Sequence, residues 1–264
     1  MAEETATKLR AAILSELGLA DTPDAAIDGN FKLDLPCFSR CLKARGYDQQ
    51  AAGKMLRATI AWRREFGVSR LAPDHFETIA KEGASGKCFV LPFKDAEGRP
   101  IMIMRPRNEN SKGDHDANIM HLVYQLERAV SAASAAGHEK WVVIMDFNGY
   151  SMSNASPMHT TRATISILQD HYPERLHRAY LVDAPWLFQG VYKAISPFID
   201  SVTRAKICFT SSSPDGLAML LPAESLEQSL GGTSSFSFHA EEYLAEDRAR
   251  CSVSKEEAQE EIKL

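Results

Sequence analysis

The sequence predicts an α/β protein: a helical N-terminal cap, then a mixed, largely parallel β-sheet with flanking helices. Three observations predict it. Apolar residues recur at three- and four-residue intervals through the first part of the chain. After about residue 85 that pattern gives way to short β-branched or apolar runs. Helix-length segments then separate the later runs, so their strands need right-handed crossover connections.

Each element follows from local sequence. Residues near 5–18 read as a first helix. "LPCFSRCLKARGYD" predicts a helix from Pro36 to Arg45, with proline in its first turn and Gly46 as its stop. "DQQAAGKMLRATIAWRREFGV" spaces Ala52, Met55, Leu56, Thr59, Ile60, Arg63 and Phe66 as an amphipathic helix; Asp48 is its N-cap and Gly67 its stop. The strands are expected at "CFVLPF", "PIMIM", "WVVIMD", "AYLVD" and "AKICFT", with "KDAEGRP" as a hairpin-type turn between the first two. Helices are expected near 115–136, 156–171 and 186–198. From about Glu241 the chain is polar and acidic, and "VSKEEAQEEIKL" reads as a solvated helix or frayed tail. The expected organisation is a helical cap over 1–75, a sheet domain over 76–240 and an acidic tail over 241–264.

Composition excludes several classes. The chain has 264 residues, 44% hydrophobic and 25% charged, which is globular and long enough for a sizeable core. A net charge of −5 argues against a nucleic-acid binder and against gross adhesion to anionic membranes, while leaving room for local basic faces. Cys37 and Cys41 are spaced i, i+4, but no second ligand pair follows, so no zinc site is expected. Scattered free thiols fit a reducing compartment. "MAEETATKLR" lacks the regions of a signal peptide, and runs such as "WVVIM" are too short to span a bilayer. The expectation is a soluble, cytoplasmic monomer, and the sequon at Asn154 is discounted.

Catalytic motifs are missing from the sequence. There is no G-x-S-x-G elbow, no G-x-G-x-x-G after a strand and no H-E-x-x-H. "GASGK", Gly83 to Lys87, suits a phosphate, but it is short for a P-loop and Cys88 replaces the magnesium-holding Ser/Thr. Asp170 and His171 are sequence neighbours, which point to different faces of a helix and form no dyad by proximity alone.

Two stretches invite a physical reading. "APWLFQGVYKAISPFI" carries Trp186, Leu187, Phe188, Val191, Tyr192, Ile195, Phe198 and Ile199, apolar around much of a helix. It is either a buried core helix or a movable lid over an apolar cavity that also meets the membrane, with Gly190, Pro185 and Pro197 as hinge-compatible features. "FIDSVTRAK" follows. Asp200 or Ser201 would N-cap a short helix, Thr203 adds a hydroxyl and Lys206 adds a charge one turn later. That is either an exposed turn or a seat for a phosphate.

The sequence resembles the CRAL-TRIO lipid-binding family. The resemblance is carried by "LKARGYDQQAAGKMLRATIAWRREFGV", "DAEGRPIMI", "VVIMDFNGYS", "LQDHYPERLHRAYLVDAPWLFQGVYKAISPFIDSVTRAKI" and "LPAESLEQSLGG", in the family's order, over residues 33–232. It looks most like the branch containing the yeast phosphatidylinositol/phosphatidylcholine transfer protein. The resemblance implies a lipid pocket floored by the sheet and closed by a gate helix at "APWLFQGVYKAISPFI". It also implies that Arg45, Thr203 and Lys206 hold the phosphatidylinositol phosphate and that Glu174 takes part in headgroup handling. Two departures stand out: "ARG" in place of "ARK" loses a base to Gly46, and Ser201 replaces a proline. At the positions aligned with the choline-headgroup site stand Met102, Leu126, Trp141, Val143 and Leu168, which supply no hydroxyl.

The resulting expectation is a non-enzymatic carrier. It binds phosphatidylinositol as ligand and needs no cofactor. It meets membranes transiently and presents its lipid to a lipid kinase. A second lipid, a sterol or another hydrophobe, would replace phosphatidylcholine. The alternatives are a hydrophobic-ligand sensor or scaffold without net transfer, an esterase built on His171, and a haem-binding variant using His and Tyr.

Overall fold

The computed structural model describes residues 2–23, 25–27, 31–111, 113–213 and 215–261; nothing is said of the side chains of Leu187 and 252–261. The elements run α1 (Ala2–Glu16), β1 (Ala26–Ile27), β2 (Phe31–Lys32), α2 (Leu35–Ala44), α3 (Gln49–Phe66) and α4 (Leu71–Gly83). Then come β3 (Cys88–Lys94), β4 (Pro100–Met104), α5 (His115–Ala135), β5 (Trp141–Asp146), α6 (Met158–His171) and β6 (Leu176–Val182). The chain closes with α7 (Trp186–Ile195), α8 (Ser201–Arg204), β7 (Ile207–Thr210) and α9 (Ala240–Glu261). It divides into two compact units, residues 1–70 with 166–175, and residues 71–165 with 176–264.

The first unit is a helical cluster. Asp34 accepts the Cys37 N–H at 2.9 Å to start α2, and Asp48 accepts the Ala51 N–H at 3.0 Å to start α3. Gly67, at φ 70°, ends α3 in the left-handed conformation that costs glycine least. Leu9, Ile13, Leu14, Phe38, Leu42, Leu56 and Ile60 form the core. The two-residue antiparallel pair β1–β2 was not foreseen, being too short to show alternation.

The second unit is built on a five-stranded sheet of order β3-β4-β5-β6-β7. β3 and β4 form the expected antiparallel hairpin, whose turn is held by Asp95 Oδ1 accepting from the N–H groups of Glu97 (3.0 Å) and Arg99 (2.8 Å). All later pairings are parallel. One sheet face carries Phe89, Leu91, Ile101, Ile103, Val142, Ile144, Tyr180 and Val182. A strap over 217–238 seals it with Leu217, Leu221, Leu226, Leu230, Phe236 and Phe238. The strap is pinned by Arg105 Nη2 to Glu227 Oε2 at 2.5 Å and by the Ser225 hydroxyl donating to Lys94 O at 2.8 Å. Any side chain at Gly232 would collide with the Leu226 carbonyl.

The C-terminal helix differs from the tail the sequence suggests. Leu244 and Cys251 are buried, and α9 packs on α4. Arg128 Nη1 pairs with Asp247, the Tyr124 hydroxyl donates to the same carboxylate, and Arg128 lies 4.2 Å over the Tyr243 ring. The solvated-tail reading of 253–264 falls on side chains outside the described residues.

Candidate functional site

The sheet's other face is apolar and incompletely covered. Register places Met102, Val143, Ala179 and Ile207 in one row, and Met104, Met145, Leu181 and Phe209 in the next. Val142 and Ile144 are buried, yet Val143 and Met145, which alternate with them, are only half-buried. Ala179 and Ile207 are also half-buried. In a sheet covered on both faces, central strands bury both sets of side chains. α7 lies over the β6–β7 end of this face, packing Phe188, Val191 and Tyr192 against Ala179, Leu181 and Ile207. Phe188 sits 4.2 Å from Phe147, and Tyr192 meets Phe209 edge-on at 5.4 Å. Trp186, at the N-terminal end of α7, is 82% exposed. The helix is therefore apolar on its packed side and carries a large apolar residue on its free side.

The four residues expected to hold the headgroup fall in both units. Arg45 and Glu174 belong to the first. Arg45 caps α2 and is followed by two left-handed residues, Gly46 and Tyr47, so the chain turns sharply there. Its guanidinium reaches Ala44 O at 3.2 Å and Asp170 Oδ1 at 3.9 Å. The two side chains are 36% and 51% exposed, so this ion pair contributes little stability. Glu174 is left-handed (φ 57°), an uncommon conformation for a residue with a Cβ. Its side chain is 9% exposed, and Oε2 lies 3.5 Å from Lys43 Nζ. Sequence reading passed over Lys43 and considered Asp170 only beside His171. Lys43 supplies a second base near Arg45 from two positions upstream, where a base one position downstream is lost to Gly46.

Thr203 and Lys206 lie in the second unit, both half-buried. Asp200 caps the four-residue α8, accepting the Thr203 N–H at 2.8 Å. Partial burial raises the Asp200 carboxyl, but hydrogen bonds from the Thr203 hydroxyl and from the Thr203 and Val202 N–H groups, with Lys206 nearby, outweigh this and hold it below its ordinary value. A resident carboxylate thus engages the donors that sequence reading offered to a phosphate.

The positions aligned with a choline headgroup site are apolar, and three of the five are buried. Met102, Leu126 and Trp141 are buried, Val143 is the half-buried register partner of Met102, and Leu168 is half-buried in the first unit. Neither "GASGK" nor the Asp170-His171 pair offers open chemistry. Lys87 Nζ is surrounded by Glu82 (2.5 Å), Glu109 (3.1 Å), Ser111 (3.1 Å) and Asn118 (3.0 Å). The His171 ring stacks on Trp62 at 4.1 Å, with Nδ1 3.3 Å from the Thr59 hydroxyl. Among the described residues no group of three or more His, Cys, Asp or Glu is arranged to hold a metal ion. Among the described residues, too, no helix is long and apolar enough to cross a membrane.

Residues 84–232 match the family model of the CRAL/TRIO domain. The chain belongs to the CRAL/TRIO family. It is 31% identical over 216 residues to the Sec14 cytosolic factor of Schizosaccharomyces pombe, covering 76% of this chain and 75% of that protein. It is 34% identical over 188 residues to the phosphatidylinositol transfer protein PDR17 of Saccharomyces cerevisiae, covering 68% and 53%. It is 35% identical over 207 residues to the CRAL-TRIO domain-containing protein C23B6.04c of S. pombe, covering 78% and 20%. The chain thus spans about half of the PDR17 protein and a fifth of C23B6.04c. Among solved structures, Sfh5 superposes with a TM-score of 0.69 at 19% identity, covering 89% of this chain and 88% of that one, a likeness of fold. These relatives place the chain with the yeast-type, Sec14-like branch, and the CRAL/TRIO family is one of lipid-binding and transfer proteins.

Proposed function

We propose that this CRAL/TRIO protein is a phosphatidylinositol carrier, exchanging that lipid between membranes without covalent chemistry. The observation that carries the reading is the half-covered apolar face of central strands β5 and β6 beneath α7. Exposing an acyl methylene to water costs about 0.8 kcal/mol, so a carrier needs an apolar surface ready before the lipid leaves the bilayer. In this reading the two rows from Met102 to Phe209 form the floor and α7 is the gate. Arg45 and Lys206 supply charge to the phosphate, Thr203 supplies a hydroxyl, and Glu174 takes part in headgroup handling. The relatives described as phosphatidylinositol transfer proteins support the choice of cargo.

Phosphatidylcholine is a poor second cargo in the same reading. Met102, Leu126, Trp141, Val143 and Leu168 offer no hydroxyl, and the first three are buried. A less polar second lipid suits that wall better. The protein works at membranes transiently from the cytoplasm and hands its lipid to a lipid kinase.

The test is transfer of phosphatidylinositol between vesicles, with phosphatidylcholine as a parallel cargo. Wild type is expected to move the first and not the second, and a folded Thr203→Ala, Lys206→Ala double variant to lose transfer. Absence of phosphatidylinositol transfer by wild type refutes the reading.

A further inference from the structure

The face around the end of α7 joins exposed apolar side chains to basic ones. Phe198 is 46% and Val202 55% exposed. Arg162, exposed on α6, holds its guanidinium 4.8 Å over the Phe198 ring. Arg204 Nη2 donates to Ile199 O at 3.1 Å, which keeps its charge beside the same turn. Lys193 is exposed and lies on the solvent stripe of α7 with Trp186, Gln189, Gly190 and Ala194, a stripe without an acid.

The face is locally basic within an acidic chain. The whole sequence carries −5, yet residues 184–214 hold Lys193, Arg204 and Lys206 against one acid, Asp200. That acid is turned to the Thr203 and Val202 N–H groups. An apolar ridge edged with Lys and Arg is the pattern of a surface that lies in a bilayer interface and prefers anionic lipid. An acidic protein surface would complement the charges, but it would leave Phe198 and Val202 without an apolar destination.

Resting on the lipid-carrier reading, we propose that Arg162, Lys193 and Arg204, around Phe198 and Val202, form a docking surface for an anionic bilayer. The basic residues meet lipid phosphates and carboxylates, and the two apolar side chains enter the interface. Docking through this face seats the C-terminal end of the gate helix at the membrane. Donor membranes are then chosen by charge, independently of the headgroup carried inside.

The test is flotation with vesicles of phosphatidylcholine alone and of phosphatidylcholine with phosphatidylserine, at low and at physiological salt. Wild type is expected to float with the anionic vesicles, and to do so less as salt rises. Arg162→Gln, Lys193→Gln, Arg204→Gln is expected to reduce partitioning roughly 100-fold, the combined effect of three basic residues near an anionic surface. Phe198→Ser, Val202→Ser is expected to weaken binding at both salt concentrations. Thermal melts confirm that the variants fold. Equal partitioning of wild type to both vesicle types, or an unchanged triple variant, overturns the proposal. So does retention on immobilised polyglutamate without binding to vesicles, which makes the face a protein-binding one. Mass spectrometry of protein recovered from vesicles containing phosphatidylinositol keeps the two readings apart. Docking without bound lipid sinks the carrier reading alone. Bound lipid with charge-indifferent docking sinks this one alone.

Discussion

His121 provides a direct test of how the second unit is held together. It is buried on α5, and its Nε2 lies 3.2 Å from Gln125 Nε2. Gln125 Oε1 accepts from the Tyr243 hydroxyl at 2.7 Å, and that hydroxyl accepts the Val90 N–H at 3.0 Å. The chain of bonds leaves Gln125 Nε2 only as a donor, so His121 Nε2 must be an acceptor. Burial, and then the charge of Lys87, push the imidazole from 6.5 down to about 3, against a smaller upward pull from Glu109. The unfolded chain therefore binds the proton more readily. Stability is whole above the unfolded value of 6.5, is lost as pH falls below it, and the loss is complete only below about 3. Each pH unit inside that window costs about 1.4 kcal/mol, so this group alone costs about 2 kcal/mol by pH 5. His121→Gln keeps an acceptor and removes the titration. The assay is urea unfolding of both proteins at pH 8 and pH 5, read as a double difference. His171 and His177 are also lowered, chiefly by burial, but they titrate in both proteins and cancel. Parallel pH dependence in the two proteins would refute the reasoning.

Two further outcomes are expected. Lys87→Met leaves the carboxylates of Glu82 and Glu109 together in the interior, at a cost of about 3–5 kcal/mol. The thermal midpoint should fall by about 6 to 20 °C, with partial recovery when Glu82→Gln is added; a midpoint within a degree of wild type would contradict the buried network. Asp200→Asn keeps a residue able to cap α8 but removes a negative charge from the donors of Thr203 and Lys206. Relief of about 1 kcal/mol of repulsion should tighten phosphatidylinositol binding about 5-fold in a competition assay, and weaker binding would show that Asp200 helps to seat the headgroup.

Most of the sheet unit was legible because its signals are local. Each strand in the 88–210 region is a short apolar run bounded by turn residues. In the helical unit the caps at Asp48 and Gly67 were likewise legible from single positions. α9 was misread because its apolar residues are sparse. Tyr243, Leu244 and Cys251 form one thin stripe, and the acids around them dominate the composition. The seven-residue step from Leu244 to Cys251 was the available signal. The Lys87 network was not legible, since its partners stand 5, 22, 24 and 31 positions away and only the fold brings them together.

The candidate site shows the same division more sharply. Sequence reading offered Asp200 or Ser201 as the cap of a short helix, and the resemblance gave Thr203 and Lys206 to the phosphate, as though the two roles were independent. The structure gives them one set of donors. A capping carboxylate works by occupying N–H groups at a helix start, and those are the groups that favour an anion. With only four residues, α8 has few to spare. The carboxylate of Asp200 stands near Lys206, which lets that lysine stay half-buried beside an oily helix. If Thr203 and Lys206 take the phosphate as proposed, it must compete with that carboxylate. Headgroup binding and the cap of α8 would then be linked in free energy, and α8 follows directly on the segment that carries α7. Under that proposal a phosphate that shifts Asp200 would also shift the anchor of α7, coupling cargo capture to the proposed gate through one aspartate.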